Sequence, residues 1–287
     1  MTPANAPASE SFRVGEFVCS PVPDGERVYP RSAAFGADAD PTVVAQYPDH
    51  FAVPYTPLLV STGEHRVLLD TGAGPLAPAT GRLQASLAKA DCRPDEIDLV
   101  VLSHAHPDHI GGLIAEDGSL VFPNARIVTG RREYEFWHSS ELRNRLGSGT
   151  VYGDPGLENL MGAWVDRYLA PIRDRLELWE SPNGEREVIP GVTLFDAPGH
   201  TPGQLGAAIH SGGETLLYTA DAFAMAEYIA HPDWAFPFDL DRETAAATRR
   251  GLLDRAAADH CLVFHYHFAR FGAVIRHGAG FCWEPAR

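Results

Sequence analysis

Cysteine, positive charge and long apolar runs are all scarce in this chain. The four cysteines, Cys19, Cys92, Cys261 and Cys282, lie far apart and form no CxxC pair. That excludes a disulfide framework and a thiolate zinc site, and leaves them as small buried hydrophobes. Lys and Arg number 23 against 38 Asp and Glu, a formal net charge of -15. With no basic block to track a phosphate backbone, nucleic acid is not an expected partner. No stretch approaches the roughly 18 apolar residues of a membrane span. The opening MTPANAPASESF also lacks a basic segment followed by an apolar one, so the expectation is a cytoplasmic protein without a membrane partner.

What is present has an ordinary globular balance, 45% hydrophobic and 21% charged over 287 residues. This is enough chain for one large domain or two small ones. Short apolar runs rich in β-branched or aromatic residues predict strands at FRVGEFVC (12–19), PLLV (57–60) and RVLL (66–69), the last two joined into a hairpin by STGEH. RLQASLAKA (82–90) has helical spacing and leads into the strand DLVVLS, completing a strand-helix-strand unit. GSLVFPNARIVT predicts two further short strands, and RREYEFW opens a helix. In LENLMGAWVDRYLAPIRDRL, Leu157, Leu160, Trp164, Tyr168 and Leu169 fall on one helical face, so residues 138–183 read as a helical cap inserted into a single domain spanning 1–287. From about 185 the strand pattern returns as VTLFDAPG, LGAAIH, TLLYTAD and, after the helix RETAAATRRGLLDRAAAD, CLVFHYH.

Polar groups concentrate where these strands run out. His104, His106, Asp108 and His109 follow DLVVLS; His200 follows VTLFDAPG, Asp221 follows TLLYTA, and His267 closes CLVFHYH. Loops held by a rigid sheet are where sites collect, because the scaffold fixes side-chain directions while the loop stays open. Five imidazoles and two carboxylates are a donor set for borderline divalent metals, and they exceed what one tetrahedral ion uses. Two metals sharing one bridge fit better. Without metal, such a buried group would cost a few kcal/mol for each unsatisfied polar atom. FHYHF offers both His265 and His267, which share a face if the strand continues, so periodicity does not choose between them.

HAHPDH fits the HxHxDH signature of the metallo-β-lactamase superfamily, and LLDTGAG before it with APGHTPGQ, YTAD and His267 after it stand in the matching chain order. From about residue 55 to 275 the sequence resembles that superfamily. VTGRREYEFW and the stretch from HPDWAFPFDLDRETAAATRRGLLDRAAAD to HFARFG are similar to its branch containing methyl parathion hydrolase and relatives of N-acyl homoserine lactonases.

The resemblance implies an α/β fold, an αββα sandwich of two mixed sheets flanked by helices, with a dinuclear site at one edge. It assigns His104, His106 and His200 to one metal, Asp108, His109 and His267 to the other, and Asp221 to both. His267 is preferred to His265 because the family's last histidine precedes Phe. Asp70 in LLDTG would orient a ligand imidazole from behind, and Gly72, Gly111, Gly112 and Gly199 would allow tight turns around the ligands. The cofactors expected are two divalent ions, zinc first, with manganese, cobalt or iron as alternatives.

Water bridging two such ions loses a proton far more readily than bulk water. The hydroxide would attack the carbonyl of a lactone or carboxylic ester with an apolar portion, with Asp108 and Asp221 as catalytic carboxylates. Phosphotriester, thioester and β-lactam hydrolysis would use the same nucleophile. An iron-dependent dioxygenase and a non-catalytic metal-binding protein are the competing classes. A small-molecule substrate is the expected partner, and the sequence is compatible with a homodimer.

Aromatic and methionine side chains cluster near the motifs, Trp137, Phe223, Met225, Trp234 and Phe268 as candidate substrate contacts with Phe136, Tyr228, Phe236 and Phe238 beside them; most are expected in the core and a few at the mouth. Where relatives carry a proline-rich HFPFPGLG, this chain reads HFARFG, which would place Ala269 and Arg270 near the mouth. Arg270 is then either a solvated rim residue or, in the sharper reading, the partner of an anionic group on the substrate.

Overall fold

The computed structural model describes residues 10–268, 270–278 and 280–286, so Ala269 lies outside the described residues. Two seven-stranded sheets form the body. The first has the spatial order Phe12–Val14, Phe17–Pro21, Leu58–Ser61, Arg66–Leu69, Leu99–Leu102, Arg126–Gly130 and Leu176–Trp179. Its last four strands run parallel to one another and the first four pair antiparallel. The second sheet runs Glu185–Ile189, Val192–Asp196, Leu205–Ser211, Glu214–Tyr218, Leu262–His265, Arg270–His277 and Gly280–Pro285. It is antiparallel except where Glu214–Tyr218 meets Leu262–His265.

The alternation of side chains along these strands makes four layers. Val67, Leu69 and Val101 of the first sheet share a core with Leu194, Ala207, Ile209 and Leu216 of the second. Their neighbours Leu68, Val100 and Leu102 point the other way, into a second core with Leu83, Leu87, Trp137 and Val165 from the helices outside that sheet. Phe195, Ala208, Leu217 and Val263 likewise pack outward on Leu252, Leu253 and Ala256 of the helix Arg242–Ala258. Strands buried on both faces read as continuous apolar runs, which is why LVVL and TLLY stood out in the sequence. The result is the expected sandwich of helices, two sheets and helices. Among the described residues no helix is long and apolar enough to cross a membrane.

Several local expectations change. FRVGEFVC is two strands, because Gly15 turns the chain at φ 55°. GSLVFPNARIVT supplies one strand, Arg126–Gly130; its first half contributes only an isolated bridge between Ile114 and Leu120. The helical insert comprises Ser140–Arg145, Pro155–Tyr168 and a short turn Ala170–Arg175. It ends before 183, since Leu176–Trp179 adds an edge strand to the first sheet. The strand CLVFHYH stops at His265, and Tyr266 to Phe268 turn, so His265 and His267 do not share a strand face. A separate hairpin, Gly25–Pro30 paired with His50–Tyr55, was not anticipated; Pro30 and Pro54 within it weaken a strand pattern.

Candidate metal centre

The polar cluster forms where the strand Leu99–Leu102 ends, at the edge of the two sheets. Ser103 ties that end down by donating its N–H to Asp70 Oδ1 at 2.7 Å. Asp70, fully buried, sits in the left-handed region at φ 64°, a strained position for a residue with a side chain. Its Oδ2 accepts from His109 Nδ1 at 2.7 Å, Ser103 Oγ at 2.7 Å and Tyr218 Oη at 2.6 Å. These bonds fix the His109 ring with Nδ1 as donor and Nε2 turned toward the cluster. Beside it, Gly72 adopts φ 77°, and a Cβ there would lie 2.5 Å from the Asp24 carboxyl carbon. Asp24 in turn accepts from the backbone N–H groups of Ala73, Gly74, Gly81 and Leu83, holding this loop against the ligands. Pro107 opens a one-turn helix, Pro107–Ile110, which carries Asp108 and His109.

Two groups of donor atoms converge and share one carboxylate. His104, His106, His200 and Asp221 form the first, Asp108, His109, Asp221 and His267 the second, with the atoms of each group within 4.8 Å of one another. In the first, His106 Nδ1 lies 3.1 Å from His104 Nε2 and 2.9 Å from His200 Nε2, and Asp221 Oδ2 lies 3.5 Å from His200 Nε2 and 3.8 Å from His104 Nε2. In the second, Asp221 Oδ1 is 3.2 Å from His109 Nε2, Asp221 Oδ2 is 3.0 Å from His267 Nε2, and Asp108 Oδ2 is 3.6 Å from His267 Nε2. Tetrahedral bonds of 2.0–2.1 Å place ligand atoms about 3.3 Å apart, the scale of these spacings.

The chemistry of the donors fits a metal better than it fits a hydrogen-bond network. His109 Nε2 and Asp221 Oδ1 are buried and face each other, yet neither completes a hydrogen bond. Burial, followed by the neighbouring imidazoles, holds His104 and His106 well below the usual histidine range, so their lone pairs are free. Burial would raise Asp221, but His109 and His267 opposite it hold the carboxyl well below its usual range. Despite their burial, His109 and His267 are held above the usual histidine range by the carboxylates facing them, Asp221 foremost, and a divalent ion bound there would take the place of those protons.

Buried groups that no sequence motif signals orient these ligands. His200 Nδ1 meets Asp239 Oδ1 at 3.2 Å, and Asp239 also pairs with the buried Arg249 at 2.9 Å. His106 Nε2 meets Tyr152 Oη at 2.7 Å, and His267 Nδ1 meets the Pro54 carbonyl at 3.2 Å. Glu133, fully buried, accepts from Ala105 N, Trp137 Nε1, Thr201 Oγ1 and Gly203 N at 2.7 to 3.2 Å. It therefore straps the loop between His104 and His106 to the loop after His200. Glu133→Gln replaces one acceptor oxygen by a donor and is expected to weaken metal binding at the first group about 10–100-fold, the usual cost of losing such support. Chelator competition on cobalt-loaded protein would measure it, and unchanged affinity would reduce Glu133 to a packing role.

His265 lies apart from both groups. Its ring stacks on Phe268 at 4.0 Å and meets Phe223 and Trp283 edge-on, while its buried Nε2 has no partner. Over the donor atoms opens a cavity of about 440 Å³, whose lining includes Asp108, His200, Asp221, Met225, Phe236 and Phe238. Of the apolar residues near the motifs, Met225, Phe236 and Phe238 reach it. Trp137 is fully buried in the helix-side core and bonded to Glu133, and Phe223 is buried in the core of the second sheet. Trp234 stacks on His231, Phe268 covers His265, and Arg270 opens the strand paired with His265 away from the lining. These are corrections with a common cause. Closeness to a motif along the chain does not set which way a side chain points.

The model of the metallo-beta-lactamase superfamily matches residues 53–267, and the chain belongs to that family. An uncharacterized protein of Synechocystis sp. is 32% identical over 164 residues, 55% of this chain and 23% of that protein. An N-acyl homoserine lactonase of Bacillus sp. is 28% identical over 191 residues, 65% of this chain and 62% of the enzyme. The chain thus spans less than two thirds of each of these relatives. An N-acyl homoserine lactonase of Bacillus cereus is 26% identical over 231 residues, 73% of this chain and 79% of that enzyme. Among solved structures, AidC, a dizinc quorum-quenching lactonase in complex with a product N-hexanoyl-L-homoserine, superposes with a TM-score of 0.84 at 29% identity, covering 97% of both chains.

Proposed function

We propose that the protein is a hydrolase of lactones or carboxylic esters with an apolar portion, working with two zinc ions held by His104, His106 and His200, by Asp108, His109 and His267, and by Asp221 between them. The observation that carries this reading is the sharing of Asp221 by two converging donor groups at the floor of a cavity. Similarity to a dizinc lactonase along the full chain supports the choice of metal and of substrate class. Bound there, the metals would supply Lewis acidity and an activated water at neutral pH.

The chain's own residues supply the rest. Ionised Asp221 faces both groups and holds them in register. Asp108, whose side chain is 15% exposed and lines the cavity, is placed to carry a proton. Water adds to the acyl carbon and one of its protons passes by way of Asp108 to the leaving alkoxide as the acyl–oxygen bond breaks; the other is released to solvent, giving a carboxylate and an alcohol. Leu157, Leu160, Met161, Phe236 and Phe238 give the substrate's apolar portion dry walls.

The test is a panel of N-acyl homoserine lactones, simple lactones, aryl esters, phosphotriesters, thioesters and β-lactams on two-zinc protein. Highest kcat/KM on lactones or esters is the expected result. A preference of tenfold or more for any other class would overturn the reading.

A further inference from the structure

Apart from the side chains assigned to the metals, the described lining of the cavity contains two charged residues, Arg27 and Asp154. Asp154 already has a role: its Oδ1 accepts from Gly156 N at 2.7 Å and Leu157 N at 3.1 Å, capping the helix Pro155–Tyr168. Arg27 caps no helix, and its side chain meets that of Tyr29. It is half-buried, its guanidinium carbon stands 5.1 Å from the centre of the Tyr29 ring, and among the described residues it forms no ion pair. A half-buried guanidinium that forms no ion pair among the described residues loses hydration that stacking on an aromatic ring offsets only in part.

The position of Arg27 relative to the metal-facing side chains is set by its hairpin. Arg27 pairs across the hairpin with Val53, and the carbonyl of the next residue, Pro54, meets His267 Nδ1. Tyr29 Oη meets Tyr55 Oη at 2.6 Å, and the Tyr55 ring stands 5.7 Å from that of His267 in an edge contact. The hairpin thus docks on the Asp108–His267 side of the site. It presents Arg27 in the lining of the cavity that Asp108 and His267 also line.

We propose that Arg27 is a specificity-determining residue, and that the preferred substrate is an ester or lactone carrying a carboxylate in addition to the group that is cleaved. This rests on the hydrolase reading above. The planar fork of a guanidinium matches a carboxylate through two parallel hydrogen bonds, and stacking on Tyr29 holds the fork in place before the ligand arrives. In a chain of net charge -15 the general field repels anions, so an anionic substrate needs a local cation. Arg27 supplies it at the hairpin wall.

Two measurements on zinc-loaded protein test the assignment. In calorimetric titrations the best binder among glutarate, adipate and pimelate is expected to bind about tenfold tighter than the monocarboxylate of equal length, a difference of about 1.4 kcal/mol. Arg27→Gln should bring that ratio to about one, and Arg27→Lys should keep part of it. A ratio near one in the wild type, or one that survives Arg27→Gln, would overturn the proposal. In turnover, the KM ratio between 4-nitrophenyl hexanoate and mono-4-nitrophenyl adipate should fall by the same factor in Arg27→Gln, the mark of lost uniform binding. An unaltered KM ratio would also overturn it. If the wild type hydrolyses no ester or lactone, the hydrolase reading fails while the titrations still decide the role of Arg27.

Discussion

Asp221→Ala is expected to lose both metals and nearly all turnover, with kcat/KM falling by at least about 10³-fold, more than a single transition-state hydrogen bond supplies. Removing any other ligand leaves one donor group intact, but Asp221 belongs to both. Its loss also leaves His109 and His267 facing each other without the carboxylate that now lies 3.2 and 3.0 Å from them. Two like-charged or desolvated imidazoles then compete for the space. Elemental analysis and rate measurements on the same preparation test this, with circular dichroism to show that the variant is folded. A variant that keeps two metals and full activity would remove Asp221 from its shared position.

The two late histidines should separate sharply. His267→Ala takes a donor from the second group and is expected to leave one tightly held metal, with turnover reduced on the order of 10²- to 10³-fold. His265→Leu should keep both metals and most activity. The His265 ring is enclosed by Phe223, Phe268 and Trp283, burial holds its nitrogen well below the usual histidine range, and its Nε2 bonds to nothing. Replacing such a group with an apolar one of similar size should cost little stability, since what it abandons is one long contact of 3.4 Å between Nδ1 and Thr219 Oγ1. Metal content and thermal denaturation of the two variants would show the difference. A reversed pattern would mean that the chain is shifted by two residues where the strand Leu262–His265 ends.

The superfamily was legible in the sequence because its signature is local. HAHPDH puts four chemically expensive residues into six positions, and the apolar runs before it, before His200 and before Asp221 mark the ends of strands buried on both faces. The groups behind those donors were not legible. Glu133 lies in RREYEFW, where an acidic residue reads as a solvated helix position, and only the fold brings it beneath Ala105, Thr201 and Gly203. Asp239 and Tyr152 are hidden in the same way, since they meet His200 and His106 across 39 and 46 residues, and Arg249 joins the site through Asp239.

Expectations about the mouth went astray for a related reason. Trp137 and Phe223 are close to the motifs in sequence, but alternation and helix packing turn them into the core. Arg270 follows His267 closely, yet the chain turns and begins an antiparallel strand, and the arginine in the lining comes from the hairpin at Gly25–Pro30. That hairpin was masked by its prolines.

The central claim, a lactone or ester hydrolase built on two metals that share Asp221, is tested most directly by adding zinc to metal-free protein and following bound metal and lactone ring opening in the same samples. Ring opening should stay low through the first equivalent, rise with the second and level off at two bound ions per chain. A plateau at one equivalent, or two bound ions with no opening of any lactone or ester, would contradict it.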